Sequence, residues 1–209
     1  MRVLWVTFCI VLVDQLSKLW VKGITIPFLG IDIQGMQYGH SVQVIGDFFR
    51  LTYIENPGMA FGIDIGGKLF FSLFSIALSA GIFYYLYRAR EDNLGFRVAL
   101  ALILGGAIGN LIDRTFYGIL FDDAPLFYGK VVDFFDVDFF NIHLFGYSLS
   151  RWPVFNVADA AVTVGILLLL FMRHEKKEEE EGAVALPPDS GNVNPPTVSG
   201  TTSPDHLQP

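Results

Sequence analysis

Four apolar stretches, at about residues 3–21, 69–87, 96–116 and 154–172, each have the length an α-helix needs to cross a bilayer. A hydrocarbon core of roughly 30 Å takes about 20 helical residues, and inside it every backbone N–H and C=O must be satisfied within the chain. This limits the fold to a small bundle of membrane helices, with the remaining segments at the interface or outside it. Composition agrees: the chain is 52% apolar, 15% aromatic and only 17% charged, outside the balance of a soluble domain. The net charge of −7 comes largely from Glu175 and the Glu178 to Glu181 run, so its sign describes a tail and not a binding surface. No basic cluster with interleaved aromatics runs along the chain, and nucleic acid is not an expected partner.

Arg2 followed by an apolar run has the order of a secretory signal, but Asp14, Lys18 and Lys22 follow it and no small-residue cleavage site closes it. The first stretch therefore reads as an uncleaved span. Cys9 is the only cysteine, which excludes an intrachain disulfide and a thiolate metal cage; the expectation is a buried helix residue. Arg88, Arg90 and Arg97 crowd the short connection between the second and third spans, and Arg173, Lys176 and Lys177 follow the fourth. Basic residues in short loops mark the cytoplasmic side, so both termini are expected there and the segments at about 23–67 and 117–153 outside it. The first outer segment, with Phe48 to Ile54 rich in β-formers and then Asn56-Pro57-Gly58, reads as a small antiparallel sheet on the membrane surface. The second mixes Phe with Asp133, Asp136 and Asp138 and reads as an interfacial segment. The expected fold class is thus a mainly α membrane protein, with four transmembrane helices, a small extracytoplasmic β-sheet cradle and an interfacial segment. Residues 1–173 form the membrane domain, and 174–209 an acidic, Pro-rich tail too poor in apolar residues to order itself.

Polar residues inside the apolar stretches carry the functional information, because a carboxylate at membrane depth is costly unless paired, solvated or protonated. Asn156 and Asp159 share a helix face with Thr163 at the start of the fourth span. Asn110, Asp113 and Arg114 lie at i, i+3 and i+4 near the outer end of the third, where Gly105 and Gly109 allow close helix approach. The serines of the second span, Ser72, Ser75 and Ser79, read as packing positions. Each residue taken singly also has a plain structural reading. Asn156 suits a helix N-cap, whereas Asp159 reads as lying past the first turn. Arg114 suits an interfacial anchor, and Asp14 with Lys18 at i+4 suits a mutually neutralising pair. Asp136 and Asp138 read as interfacial or solvated.

Taken in order, Asp14-Gln15-Leu16-Ser17-Lys18, then Glu55-Asn56-Pro57-Gly58-Met59-Ala60-Phe61-Gly62, then Gly106 to Arg114, then Val131-Val132-Asp133-Phe134, then Phe155-Asn156-Val157-Ala158-Asp159 closely resemble the motifs of the lipoprotein signal peptidases, the type II signal peptidases of bacteria. The resemblance covers about residues 1–173. It implies an intramembrane aspartyl endopeptidase of the bacterial inner membrane, with its active site toward the outer face. Such enzymes cut the signal peptide from prolipoproteins just before the diacylglyceryl-modified lipobox cysteine. Matched by motif position, Asp133 and Asp159 fall on the catalytic pair. Asn56, Asn110, Arg114 and Asn156 fall on the polar supporting residues, and Asp14 and Lys18 on the first-helix motif. The partners implied are diacylated prolipoproteins and membrane lipids, with no cofactor and no metal. Pro57 and Met59 depart from the smaller residues many members carry, the segment between Arg114 and Asn156 is long, and the acidic tail lies outside the family core.

A small transporter or proton-conducting protein also places acidic residues in a helical bundle, but no internal repeat accompanies them here. A metalloprotease would carry H-E-x-x-H, which is absent from the sequence. Ser17 beside Lys18 does not face it as a serine–lysine pair requires.

Overall fold

The computed structural model describes residues 2–58, 67–122, 124–138, 142–144, 147–149 and 151–184. The chain forms two compact units, Met1–Arg173 and His174–Pro209. In the first, α1 (Leu4–Lys22) leads into a short hairpin, β1 (Ile24–Ile26) and β2 (Ile31–Ile33), and then into β3 (Ser41–Ile45) and β4 (Phe49–Asn56). Two helices follow, α2 (Gly67–Arg88) and α3 (Leu94–Ile112). A single π-helical turn, Asp113–Tyr117, joins α3 to the one-turn α4 (Gly118–Phe121). Then come β5 (Val131–Val137), the small hairpin β6 (Ile142–Leu144) and β7 (Tyr147–Leu149), and α5 (Val157–Val184).

Leu4–Lys22, Leu69–Arg88 and Leu94–Phe121 are long and apolar enough to cross a membrane, and Val157–Met172 is a shorter apolar helix. The expected helices are therefore present with boundaries moved by a few residues. α5 continues past the apolar limit at 172 through the Lys-Lys-Glu-Glu segment to Val184, part of what the sequence assigns to the tail. Lys and Glu are good helix formers. The rest of the tail, 185–209, lies outside the described residues.

Small residues bring the helices together. A Cβ on Gly105 would lie 2.9 Å from Ile10 Cβ of α1, and one on Gly106 would lie 2.2 Å from the Ala158 carbonyl oxygen of α5, so α3 packs closely on both partners. Thr7 of α1 donates to the Ala101 carbonyl at 2.9 Å. Cys9 is exposed on α1, contrary to the buried position expected. On a span, the exposed face is the one turned to lipid.

The sheet draws on both outer segments. β3, β4 and β5 form one antiparallel sheet in that order, so the Phe/Asp segment expected to lie along the interface supplies the strand that carries Asp133. The register passes from Leu51 opposite Phe135 to Ile54 opposite Asp133. One extra residue on β4 therefore forms a bulge beside Asp133, the kind of irregularity that re-aims a side chain. Phe155 runs antiparallel to β5, its N–H bonding to the Phe135 carbonyl at 3.1 Å and its carbonyl accepting from Phe135 N–H at 2.7 Å. This contact delivers the chain to the start of α5 next to the strand.

Asp136 departs from the solvated position expected. It is buried, accepts from Arg151 Nη1 at 2.5 Å and from Thr52 Oγ1 at 2.7 Å, and so ties the strand to the segment entering α5. Asp138 stands 3.6 Å from Arg151 Nη2.

Candidate active site

The N-terminus of α5 is built by three side chains. Asn156 Oδ1 accepts from the Asp159 N–H at 3.0 Å, and the Asp159 carboxylate accepts from the Asn156 N–H at 3.2 Å, a reciprocal capping box. Asp14, reaching across from α1, accepts from the Ala158 N–H at 2.9 Å. Asn156 is thus the N-cap the sequence allows. Asp159 lies within the first turn, not beyond it, because the helix begins at Val157 and not three residues earlier.

Two asparagine amides join the aspartates. Asn156 Nδ2 donates to Asp133 Oδ1 at 2.6 Å and to Asn110 Oδ1 at 3.1 Å, while Asn110 Nδ2 donates to Asp159 Oδ1 at 2.8 Å. Asp133 on β5, Asp159 on α5 and Asn110 on α3 are remote in sequence and meet in one connected group. Asp133 is 3% exposed and Asp159 is half-buried.

Behind the amides sits Lys18, fully buried on α1. Its ammonium stands 2.8 Å from both Asp14 and Asp113 and donates to Asn110 Oδ1 at 2.9 Å. All three ammonium protons thus have partners, which a buried cation requires. Asp113 also accepts from Gln15 Nε2 at 2.8 Å and from the Val132 N–H at 3.2 Å, holding β5 one residue before Asp133. Tyr117 donates to Gln15 Oε1 at 3.2 Å. Gly129 makes the approach possible, since a Cβ there would lie 2.1 Å from the Asp113 carbonyl oxygen. The π-helical turn carries Asp113 and Tyr117 into this interior, and such turns often occur at functional positions.

Burial pushes the Asp133 carboxyl up to about 7, the nearby Asp159 charge adds to this, and the Asn156 hydrogen bond opposes it. A buried acid beside a second carboxylate is the arrangement that keeps one proton between two groups near neutrality. A second charged group lies near the end of β4. Glu55 takes hydrogen bonds from Lys130 at 2.8 Å, from Tyr53 at 2.6 Å and from Lys22. Burial raises its carboxyl, but these donors outweigh burial and bring it to about 2.

Sequence reasoning places Asp14, Lys18, Asn110, Asn156, Asp133 and Asp159, and the structure brings all six together. Sequence reasoning leaves Gln15 and Tyr117 without roles and Asp113 without a partner; their signal is helical spacing, Gln15 three residues before Lys18 and Tyr117 four residues past Asp113. Asn56 stands at the end of β4 opposite Val131 and accepts from the Gly58 N–H at 2.9 Å; the following residues 59–66 lie outside the described ones. Arg114 reaches α2, where Nη1 lies 3.4 Å from Ser75 Oγ, and Ser72 donates to the Phe127 carbonyl at 2.9 Å. Ser72 and Ser75 of α2 therefore bond to neighbouring elements, beyond the packing expected of them. Among the described residues no three His, Cys, Asp or Glu side chains form a group that could hold a metal ion.

The family model described as signal peptidase (SPase) II matches residues 6–173. The chain belongs to the signal peptidase II family. It is 36% identical to the lipoprotein signal peptidase of Porphyromonas gingivalis over 76% of each chain, and 40% identical to that of Chlorobium phaeobacteroides over 60% of this chain and 72% of the relative. Two solved structures described as bacterial membrane enzymes are similar to it. One has a TM-score of 0.61 at 27% identity, covering 92% of this chain and 94% of the other; the second scores 0.59 at 30%, covering 82% and 91%. As a member of the signal peptidase II family, with several apolar helices, this is a bacterial multi-pass membrane peptidase acting in signal-peptide removal from prolipoproteins.

Proposed function

We propose that this signal peptidase II is an aspartyl endopeptidase in which Asp133 and Asp159 activate one water. The observation that carries the reading is the hydrogen-bonded path Asp133–Asn156–Asn110–Asp159, which holds two carboxylates from different elements in one site. Asp133, buried and with its carboxyl pushed up to about 7, is the proton donor. Asp159 accepts N–H bonds on both oxygens, as the ionised partner does. Asp159 takes a proton from the water as its oxygen attacks the scissile carbonyl carbon, and Asp133 gives its proton to the developing oxyanion. The tetrahedral carbon then collapses as one of its hydroxyls returns a proton to Asp133, the C–N bond breaks, and the amine leaves with the proton held by Asp159. The signal peptide departs with a new carboxyl terminus, and the diacylglyceryl-modified cysteine keeps the new amino terminus.

The supporting residues divide by what they touch. Asn110 and Asn156 orient the carboxylates, and Lys18 with Asp14 fixes the amides from behind. Asn56 and Arg114 bind substrate backbone; Arg114 Nε is buried and unpartnered among the described residues. Bilayer lipids surround the enzyme, and nucleic acid has no part in its work. Residues 1–173 are the catalytic body. Basic residues at Arg88, Arg90, Arg97 and Arg173 support cytoplasmic termini and an active site at the outer face of the inner membrane.

Mass mapping of products tests the specificity. With purified protein in detergent, a diacylglyceryl-modified prolipoprotein is expected to yield a fragment beginning at the modified cysteine, in the presence of chelator, and the unmodified precursor is expected to remain whole. Cleavage elsewhere, or loss of turnover with chelator, would count against the proposal.

A further inference from the structure

Between α1 and the three-stranded sheet the chain makes an excursion that the peptidase chemistry does not use. β1 and β2 pair only with each other, and both ends of the excursion are pinned on α1. Gly23 N–H bonds to the Leu19 carbonyl at 2.9 Å and Met36 N–H to the Val21 carbonyl at 2.7 Å. A Cβ on Gly35 would lie 2.2 Å from the Lys22 carbonyl. The register sets Ile24 opposite Ile33 and Ile26 opposite Ile31, with Thr25 opposite Asp32 and hydrogen-bonded to it at 2.9 Å. Side chains alternate across a strand, so one face carries four isoleucines and the other is polar. The turn Pro27–Leu29 adds Phe28, 86% exposed, and Leu29, 59% exposed. A contiguous exposed apolar patch of this kind marks an interaction surface.

The neighbours of the hairpin identify its partner. Phe8, Leu12, Leu16 and Trp20 are exposed at intervals of one helical turn along α1, a stripe that in a membrane span faces acyl chains. Trp20 closes that stripe two residues before the helix ends. On the other side, the hairpin shares a cavity of about 690 Å³ with Leu120 and Phe121, the last residues of the third apolar span; Ile24, Phe28 and Ile33 line it together with the polar Thr25 and Asp32 and with Lys22. The hairpin is therefore flanked by the ends of two spans, at the level where the hydrocarbon meets the headgroups and aromatic residues concentrate. No Lys or Arg occurs between Gly23 and Met36, and the adjacent Lys22 is paired with Glu55, so the hairpin offers apolar area and no free cation for anionic headgroups.

We propose that the hairpin is a membrane-interface anchor. It inserts Phe28 and Leu29 among the acyl chains of bilayer phospholipids, turns its isoleucine face to lipid, and keeps Thr25 and Asp32 in the headgroup layer. The anchor fixes the height of the β-sheet over the membrane independently of which residues carry out the cleavage.

Spin-label depth measurement tests this. Cys9→Ser removes the only cysteine, and Phe28→Cys or Asp32→Cys then places one nitroxide on the tip or on the polar face. Both positions are exposed, so the substitutions do not touch the core. In nanodiscs of phosphatidylcholine alone, the label at 28 is expected to collide more with oxygen than with a water-soluble nickel chelate, and the label at 32 to show the reverse order. Adding phosphatidylglycerol is expected to change neither. A label at 28 as open to nickel as the label at 32 would overturn the proposal. A label at 28 shielded from both reagents would also overturn it, by showing that protein covers the tip. So would a membrane position that exists only with anionic lipid.

Discussion

Asn110 donates its side-chain amide to Asp159 Oδ1 at 2.8 Å, and the oxygen of the same amide accepts from Lys18 Nζ at 2.9 Å. The amide is held from both ends. The ammonium permits only oxygen on its side, so nitrogen must face Asp159. Asn110→Asp keeps the size of the side chain but replaces the donor with a third carboxylate. Turnover is expected to fall by about 10²-fold or more, the usual scale for losing one placed donor, while the protein still purifies as a folded monodisperse species. Single-turnover cleavage in detergent measures the loss.

Lys18 neutralises two carboxylates in a fully buried position. Lys18→Met leaves Asp14 and Asp113 without their cation, and breaking a buried pair on one side costs about 3–5 kcal/mol. A fall in the thermal midpoint of the detergent-solubilised protein is the expected result. Lys18→Met, Asp113→Asn together is expected to recover part of it, since one of the stranded charges is gone.

The pH dependence follows from Asp133, whose carboxyl is pushed from 3.8 to about 7 by burial and by Asp159. The folded protein holds this proton more tightly than the unfolded chain does. Between those two values the native state binds more protons, so this group makes stability fall as pH rises through the window. Turnover is expected to decline above about pH 7 as the donor proton is lost. Asp133→Asn cannot ionise, and its melting temperature is expected to drop less than that of the parent protein between about pH 4 and about pH 8. Parallel melts in one detergent decide this; an equal drop in both proteins contradicts it.

Arg151 holds the strand carrying Asp133 to the segment that enters α5 through Asp136 at 2.5 Å, and holds the turn between β3 and β4 through the Asp47 carbonyl at 2.8 Å. Arg151→Gln leaves Asp136 buried and short of a partner, at a cost of about 1–3 kcal/mol. Turnover is expected to drop several-fold without vanishing, and Arg151→Lys to restore part of it. A kcat effect with little change in KM would mark misplacement of the aspartates.

The helices were legible because apolar length is a local property of the chain. Most of the site was legible too: Asp14 with Lys18, Asn110 with Asp113, and Asn156 with Asp159 repeat at helical spacing within apolar runs. What the sequence hides is pairing between elements. Asp136 looks like one more interfacial acid until Arg151 comes into reach from another segment. The strand on which Asp133 lies joins β4 across the whole of α2 and α3, a long-range register that no local pattern encodes. Hydropathy starts the span at 154 and so puts Asp159 beyond the first helical turn, whereas the capping box starts the helix at Val157.

The central claim is that Asp133 and Asp159 together carry out the cleavage, and their conservative replacement tests it most directly. Asp133→Asn and Asp159→Asn keep the shape of each side chain and remove its acid–base function. Cleavage of a diacylated prolipoprotein by each purified variant, with chelator present and folding checked by thermal melt, is predicted to fall to background. Substantial turnover by either folded variant would contradict the account.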